Sequence, residues 1–221
     1  MRTVIVGAGG QARIVCDILG YDRNIEVVGF TDNEIRDPGE RIFDRPILGR
    51  HEDMADIVAE HEIRAAVVAI GDNAVRAERF EALRRAGLKL LNAIHPSAVI
   101  SPTATLGEGN VVSPGAFVNT LARIGDNCII NTGAIVEHEV TVGSHVHLAP
   151  GVIVAGRVSI GDMSFIGAGS VVREYVTVGE RVVVGAGSVV LDELASDVMA
   201  AGAPATVRKV NGARAGEEGR P

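Results

Sequence analysis

His138 stands between two carboxylates in the run Val136-Glu137-His138-Glu139-Val140. A carboxylate beside an imidazole fixes its tautomer and raises its basicity, so this trio has the make-up of a general base working near neutral pH. A solvated charged patch is the plain alternative. His145 and His147 follow within ten residues and share a face by alternation. Three clustered histidines also raise catalytic zinc, which accepts three His ligands with one open position. Nucleophilic catalysis has less support, because no Ser or Cys lies in an elbow motif and Cys128 falls at an inward small position.

The elements that must hold these residues are set by a strict repeat. From Ile94 to Val190 every sixth residue is Leu, Ile or Val, and self-similarity at fixed period marks a repeat fold. Six is three times the strand period of two, so short extended segments joined by corners, three to a coil, give a triangular parallel β-solenoid. Four positions after each aliphatic the residue is small or β-branched, with Asn110 the one larger polar member. Gly107, Gly125, Gly143, Gly161, Gly167, Gly179 and Gly185 directly follow aliphatics, where a corner is expected to need glycine's backbone freedom. Burying each aliphatic stabilises by about 1.5–3 kcal/mol before ordering costs. The expected form is a left-handed parallel β-helix.

The first ninety residues read differently. Strands are expected at Arg2–Val6, Ile25–Phe30 and Ala65–Ile70, and helices at 11–19 (inner face Ile14, Val15, Ile18 and Leu19) and 74–86. Such alternation gives a Rossmann-like parallel α/β sheet, with ligands at the carboxyl ends of its strands. Gly7-x-Gly9-Gly10-x-Ala12 approximates a dinucleotide fingerprint, and Asp32 ends the second strand where ribose is usually read. A glycine turn that only closes strand onto helix is the alternative. About ninety residues supply one mononucleotide-binding half, so a nucleotide with one nucleoside, such as a nucleotide sugar, fits better than NAD.

Composition narrows the classes. A net charge of −7 and a pI of about 5.4 leave no basic stripe for nucleic acid, and 3% aromatic content without Trp gives no stacking platform for single strands. No run approaches the roughly 18 apolar residues of a membrane span, and the first residues lack a signal-peptide pattern, so a cytoplasmic protein without membrane insertion is expected. Cys16 and Cys128 fall in different expected domains and offer no disulfide framework.

Taken together, VIVGAGGQAR, VVGFTDNE, AIGDNAVR, NAIHPSAVISPTA, INTGAIVEHEVTVGSHVHLAPG and the closing GAPA make the chain resemble, over nearly its whole length, the bacterial sugar acetyltransferases of the NeuD and PglD type. The resemblance implies that His138 is the general base, that Glu137, Glu139 and Asn131 support it, and that His147 contacts acetyl-CoA. It further implies that Ala155, Gly156, Ala168 and Ala186 line a cofactor groove between the solenoids of a homotrimer. The nucleotide sugar would be held by Gly7, Gly9, Gly10, Gln11, Asp32, Asn33 and Gly71. Relatives often carry His where this chain has Gln11, and a second Asp where it has Asn33. Trimeric zinc solenoids of the carbonic anhydrase type would need two histidines five apart and a third far upstream. The spacings here are seven and two, and no metal is expected.

The expected activity is acetyl-CoA-dependent N-acetylation of a nucleotide-linked amino sugar, a UDP-4-amino-dideoxy or GDP-perosamine-like compound. O-acetylation of a sugar of the sialic acid kind would use the same mechanism; a metal-dependent lyase or a non-catalytic nucleotide-sugar-binding protein are the remoter classes. The expected division is a Rossmann-like domain over 1–93, a β-helix with a C-terminal cap over 94–210 and a disordered tail over 211–221. A trimer is also expected because apolar positions such as Val111, Ile129 and Ile135 would otherwise lie partly exposed on a single prism.

Overall fold

Val4, Ile5 and Val6 are apolar in succession, as befits a strand covered on both faces, and none is more than 1% exposed. The computed structural model describes residues 1–34 and 39–210. In it the strands Arg2–Val6 (β1), Glu26–Thr31 (β2), Arg41–Ile42 (β3), Arg45–Gly49 (β4), Ala65–Val68 (β5) and Lys89–Leu90 (β6) form one sheet ordered β3-β4-β2-β1-β5-β6. All its pairs are parallel except the β3–β4 hairpin. The helices are Gly10–Leu19 (α1), Met54–Glu60 (α2) and Asn73–Arg85 (α3). The Asp72 carboxylate caps α3 by accepting from the Val75 N–H at 2.9 Å. On α1 the buried residues are Ala12, Val15, Cys16, Ile18 and Leu19, while Ile14 is only partly covered.

From Ala93 onward two-residue strands recur every six residues, and each pairs in parallel with the strand eighteen residues away. Three strands make one coil, and the fold is a left-handed parallel β-helix behind a Rossmann-like domain. Every hexad aliphatic from Val112 to Val190 is at most 3% exposed. Ile94 is 40% exposed, and Ile100 and Leu106 are half-buried, because no earlier coil covers that end of the prism.

The corners differ from the expectation. The left-handed backbone falls three residues after each aliphatic, at every sixth position from Gly109 to Gly187. Glycine directly after the aliphatic serves spacing instead: a Cβ at Gly125 would lie 2.7 Å from the Gly143 carbonyl carbon, and one at Gly161 2.7 Å from that of Gly179. Stacked coils leave no room there.

The three faces are chemically distinct. One presents Ala93, Val111, Ile129, His147, Phe165 and Val183 outward and is docked against the first domain. The second presents Val99, Phe117, Ile135, Ile153, Val171 and Val189, an apolar stripe that no described residue covers; Val99 is 51% exposed and Ile153 39%. The third presents Thr105, Arg123, Thr141, Ser159 and Thr177. Val111 and Ile129 are therefore not exposed, as the trimer argument had them, because they share a core with Ala12, Val15 and Leu19 of α1. Ile135 lies half-buried on the apolar face. Val198–Ala201 and Thr206–Val210 close the stack as an antiparallel pair. The tail expected over 211–221 lies outside the described residues.

Candidate active site

His138 projects at the edge between the apolar and polar faces, with its side chain about half exposed. Its Nδ1 lies 3.4 Å from Glu139 Oε2, and its backbone N–H donates to Glu137 Oε2 at 3.2 Å. Asn119, one coil back, donates its side-chain N–H to the same Glu137 oxygen at 3.1 Å. Glu139 occupies the left-handed corner (φ 59°) and accepts from Arg157 Nε at 2.5 Å. That guanidinium hydrogen bond is the main reason the Glu139 carboxyl is held below its ordinary range. The ring of His138 lies over the backbone of Gly156 in the next coil. Ala155 and Gly156 thus share this edge with His138, Glu137 and Glu139.

The other expected cofactor residues lie on a different edge, and so does Asn131, which was expected to support His138. Asn131, Ala168 and Ala186 stand on the edge between the docked and apolar faces, whose left-handed corner positions are all glycine: Gly115, Gly133, Gly151, Gly169 and Gly187. His147 is not on the open surface. It is 9% exposed in the seam between domains, edge-on to Phe165 at 5.1 Å, with its Nε2 3.2 Å from Asn131 Nδ2. Burial first, and the Arg76 charge second, lower its pKa to about 4, against a weak opposing pull from the Gly71 carbonyl. A neutral ring can accept from Asn131. The ring expected to contact acetyl-CoA is thus 9% exposed and paired with Asn131.

Arg76, from the first turns of α3, is fully buried in the same seam. It donates to the carbonyls of Ile70, Gly71, Asn127 and His145 at 2.8–3.2 Å and to Asn73 Oδ1 at 2.7 Å. A guanidinium fully supplied with acceptors stays charged although burial pulls its pKa down to about 10. The seam is thereby fixed on both sides, by α1 through apolar contact and by α3 through Arg76.

At the carboxyl ends of β1, β2 and β5 the residues expected to hold a nucleotide sugar converge. Gly7, Gly9, Gly10, Gln11, Asp32, Asn33 and Gly71 all line one cavity of about 340 Å³, together with His51 and Arg79. Asp32 accepts from the Ala8 and Glu34 N–H groups at 2.8 and 3.0 Å, so it ties the first two loops together. Asn33 Oδ1 accepts the His51 N–H at 3.0 Å. Among the described residues, Gln11 Nε2 and Arg79 Nε are buried here without a partner, and unsatisfied buried donors call for an acceptor-rich ligand. Gly71 borders both this cleft and His147.

Sequence reasoning missed Asn119, Arg157, Arg76, His51 and Arg79. Asn119 and Arg157 were within reach: each lies eighteen residues from a member of the Glu137–Glu139 run, which is one coil. The seam residues carried no such signal. Among the described residues no group of His, Cys, Asp and Glu is placed to hold a metal ion, and no helix is long and apolar enough to cross a membrane.

The chain is similar to known proteins over most of its length. Residues 2–83 match the family described as PglD N-terminal domain, and residues 122–156 and 157–192 match the bacterial transferase hexapeptide (six repeats). A perosamine N-acetyltransferase from Caulobacter crescentus, solved with CoA and GDP-perosamine, is 38% identical over 95% of this chain and 97% of its own, with a TM-score of 0.89. The acetyltransferase domain of PglB from Neisseria gonorrhoeae, solved with acetyl coenzyme A, is 32% identical over 94% of this chain and 98% of its own, with a TM-score of 0.85. A curated protein, the redox-sensing transcriptional repressor Rex of Desulforamulus reducens, is 29% identical over 100 residues; the chain spans only 47% of that relative's length. With identity above 30% across nearly the full length of two acetyltransferases, the chain belongs to the hexapeptide-repeat sugar acetyltransferases of the NeuD and PglD type.

Proposed function

We propose that the protein transfers the acetyl group of acetyl-CoA to the amine of a nucleotide-linked amino sugar by direct attack, with His138 as general base. The amine attacks the thioester carbonyl and His138 Nε2 takes the proton, since Nδ1 faces Glu139. The tetrahedral adduct then expels the CoA thiolate, which is protonated to the free thiol. Glu139 stabilises the imidazolium, and holding two substrates together supplies much of the acceleration. Residues 1–93 hold the nucleotide sugar, and residues 94–210 carry the transfer.

One observation carries this reading. The His138 edge and the all-glycine edge with Asn131, Ala168 and Ala186 border the same uncovered apolar face. In a homotrimer packed through that face, the base of one subunit meets the glycine edge of its neighbour. The groove between them is smooth on one side, because at Gly115, Gly133, Gly169 and Gly187 nothing lies within 4 Å of an added Cβ. A nucleotide in the cleft reaches that edge by way of Gly71, His147 and Asn131. The buried donors of Gln11 and Arg79 suit the diphosphate of a GDP- or UDP-linked sugar. Two buried free thiols, Cys16 and Cys128, suit a reducing, cytoplasmic setting.

The test is release of free CoA thiol from acetyl-CoA across a panel of UDP- and GDP-linked amino sugars, with their hydroxy analogues as controls. Thiol release only with amino acceptors supports N-acetylation. Release only with hydroxy acceptors, or with none, defeats it. Mixing His138→Ala and Asn131→Ala subunits tests the shared site: partial recovery of activity is expected, and its absence would place both residues in one subunit's site.

A further inference from the structure

Along the edge that carries His138, the left-handed corner positions hold Glu139, Arg157 and Tyr175 in successive coils, at φ of 59°, 62° and 65°. Such a backbone disfavours side chains bearing a Cβ, and on the edge across the apolar face every left-handed corner from Gly115 to Gly187 is glycine. Here three large side chains are linked in series. Arg157 Nη1 donates to the Tyr175 hydroxyl at 2.7 Å, and Arg157 Nε donates at 2.5 Å to the Glu139 oxygen that faces His138. The guanidinium also lies 5.5 Å from the centre of the Tyr175 ring.

One carboxylate oxygen is therefore shared between a permanent cation and the candidate base. The other neighbouring carboxylate, Glu137, is engaged by Asn119 and by the backbone N–H of His138. Glu139 alone faces the ring, and Arg157 decides how much of its charge the ring feels. Taking the reading of His138 as the base, we propose that Arg157, held by Tyr175, is a positioning residue that fixes Glu139 against His138 and tempers its pull on the proton. An exposed ion pair is weakly coupled in water, but this edge borders the apolar face, and cover from a second copy would strengthen it.

The experiment compares Arg157→Gln, Arg157→Lys and Tyr175→Phe with the unaltered full chain, using acetyl-CoA and GDP-perosamine. Two readouts are taken: the pH profile of kcat/KM, and the NMR titration of the His138 ring without substrates, assigned with His138→Gln. In Arg157→Gln the carboxylate acts on the ring uncompensated, so both the acid limb and the ring titration should move to higher pH. Arg157→Lys should restore most of that shift through its charge, yet leave kcat reduced, because an ammonium does not reproduce the rigid spacing of Nε and Nη1 that holds Glu139 and Tyr175 at once. Tyr175→Phe should lower kcat with a smaller displacement. An unmoved His138 titration in Arg157→Gln overturns the proposal. Failure of the base reading looks different: turnover would survive in His138→Ala while the ring titration in Arg157→Gln still moved.

Discussion

The imidazole of His138 rests on the backbone of Gly156: a Cβ at position 156 would lie 2.6 Å from Nε2 and 2.7 Å from Cε1 of the ring. Glycine is required there by the ring's approach and not by backbone torsion, since Gly156 is not among the positive-φ residues. Gly156→Ala should keep its thermal midpoint close to that of the parent while kcat falls by roughly 10- to 100-fold, the scale on which a displaced catalytic group is felt. Paired melting curves and steady-state kinetics read this out; unchanged turnover would mean that the ring works in another pose.

Removal of the base itself should cost more. His138→Ala is expected to lower kcat by roughly 10²–10⁴ with little change in acetyl-CoA affinity, as general acid–base catalysis usually contributes. Calorimetric binding of acetyl-CoA beside the kinetics checks it. A matched loss of affinity would recast His138 as a binding residue.

Arg76 joins α3 to the solenoid through the carbonyls of Asn127 and His145, and ties the loop before α3 through those of Ile70 and Gly71 and through Asn73 Oδ1. Arg76→Met should fill similar volume yet leave those acceptors without a donor, destabilising the protein by about 3 kcal/mol or more. Urea unfolding is the measurement. A loss under about 0.5 kcal/mol, the range of ordinary surface changes, would show that water replaces the guanidinium freely.

His147 gives a pH signature. Its folded-state pKa is lowered to about 4, so the unfolded chain binds this proton first and stability falls as pH drops from the unfolded value of about 6.5. The penalty is absent at neutral pH and reaches about 3 kcal/mol once pH is below the folded value. His51 and His145 shift in the same direction. In His147→Gln the loss of stability between pH 6.5 and 4 should shrink, as denaturant midpoints across that window would reveal. An unchanged slope would mean that the seam opens and hydrates before the ring is protonated.

Ile130 is fully buried in the hexad stack. Ile130→Asp puts an unpaired carboxylate there and should abolish cooperative folding or lower the thermal midpoint steeply. A normal midpoint would break the register on which the fold was read.

Local pattern settled what depends on local physics. The hexads from Ile94 to Val190 dictated the prism because one aliphatic per six residues can be buried in only one repeating way, and the Gly7–Gly10 loop after β1 marked a ligand cleft because strand ends and helix starts carry their signals in adjacent residues. His138 was marked as a candidate base by its two flanking carboxylates. What the sequence could not supply was which face meets which. Burial of Val111, Ile129 and His147 depends on α1 and α3 docking from a separate stretch of the chain, and nothing in the hexads distinguishes that face from the apolar one left open. Corner chemistry was misassigned for a related reason. Glycine after an aliphatic and glycine three residues later look equivalent in a string, but one yields to the coil stacked against it and the other to its own torsion. The Glu139–Arg157–Tyr175 series arises from eighteen residues per coil, a distance along the chain that becomes contact only once the chain has wound.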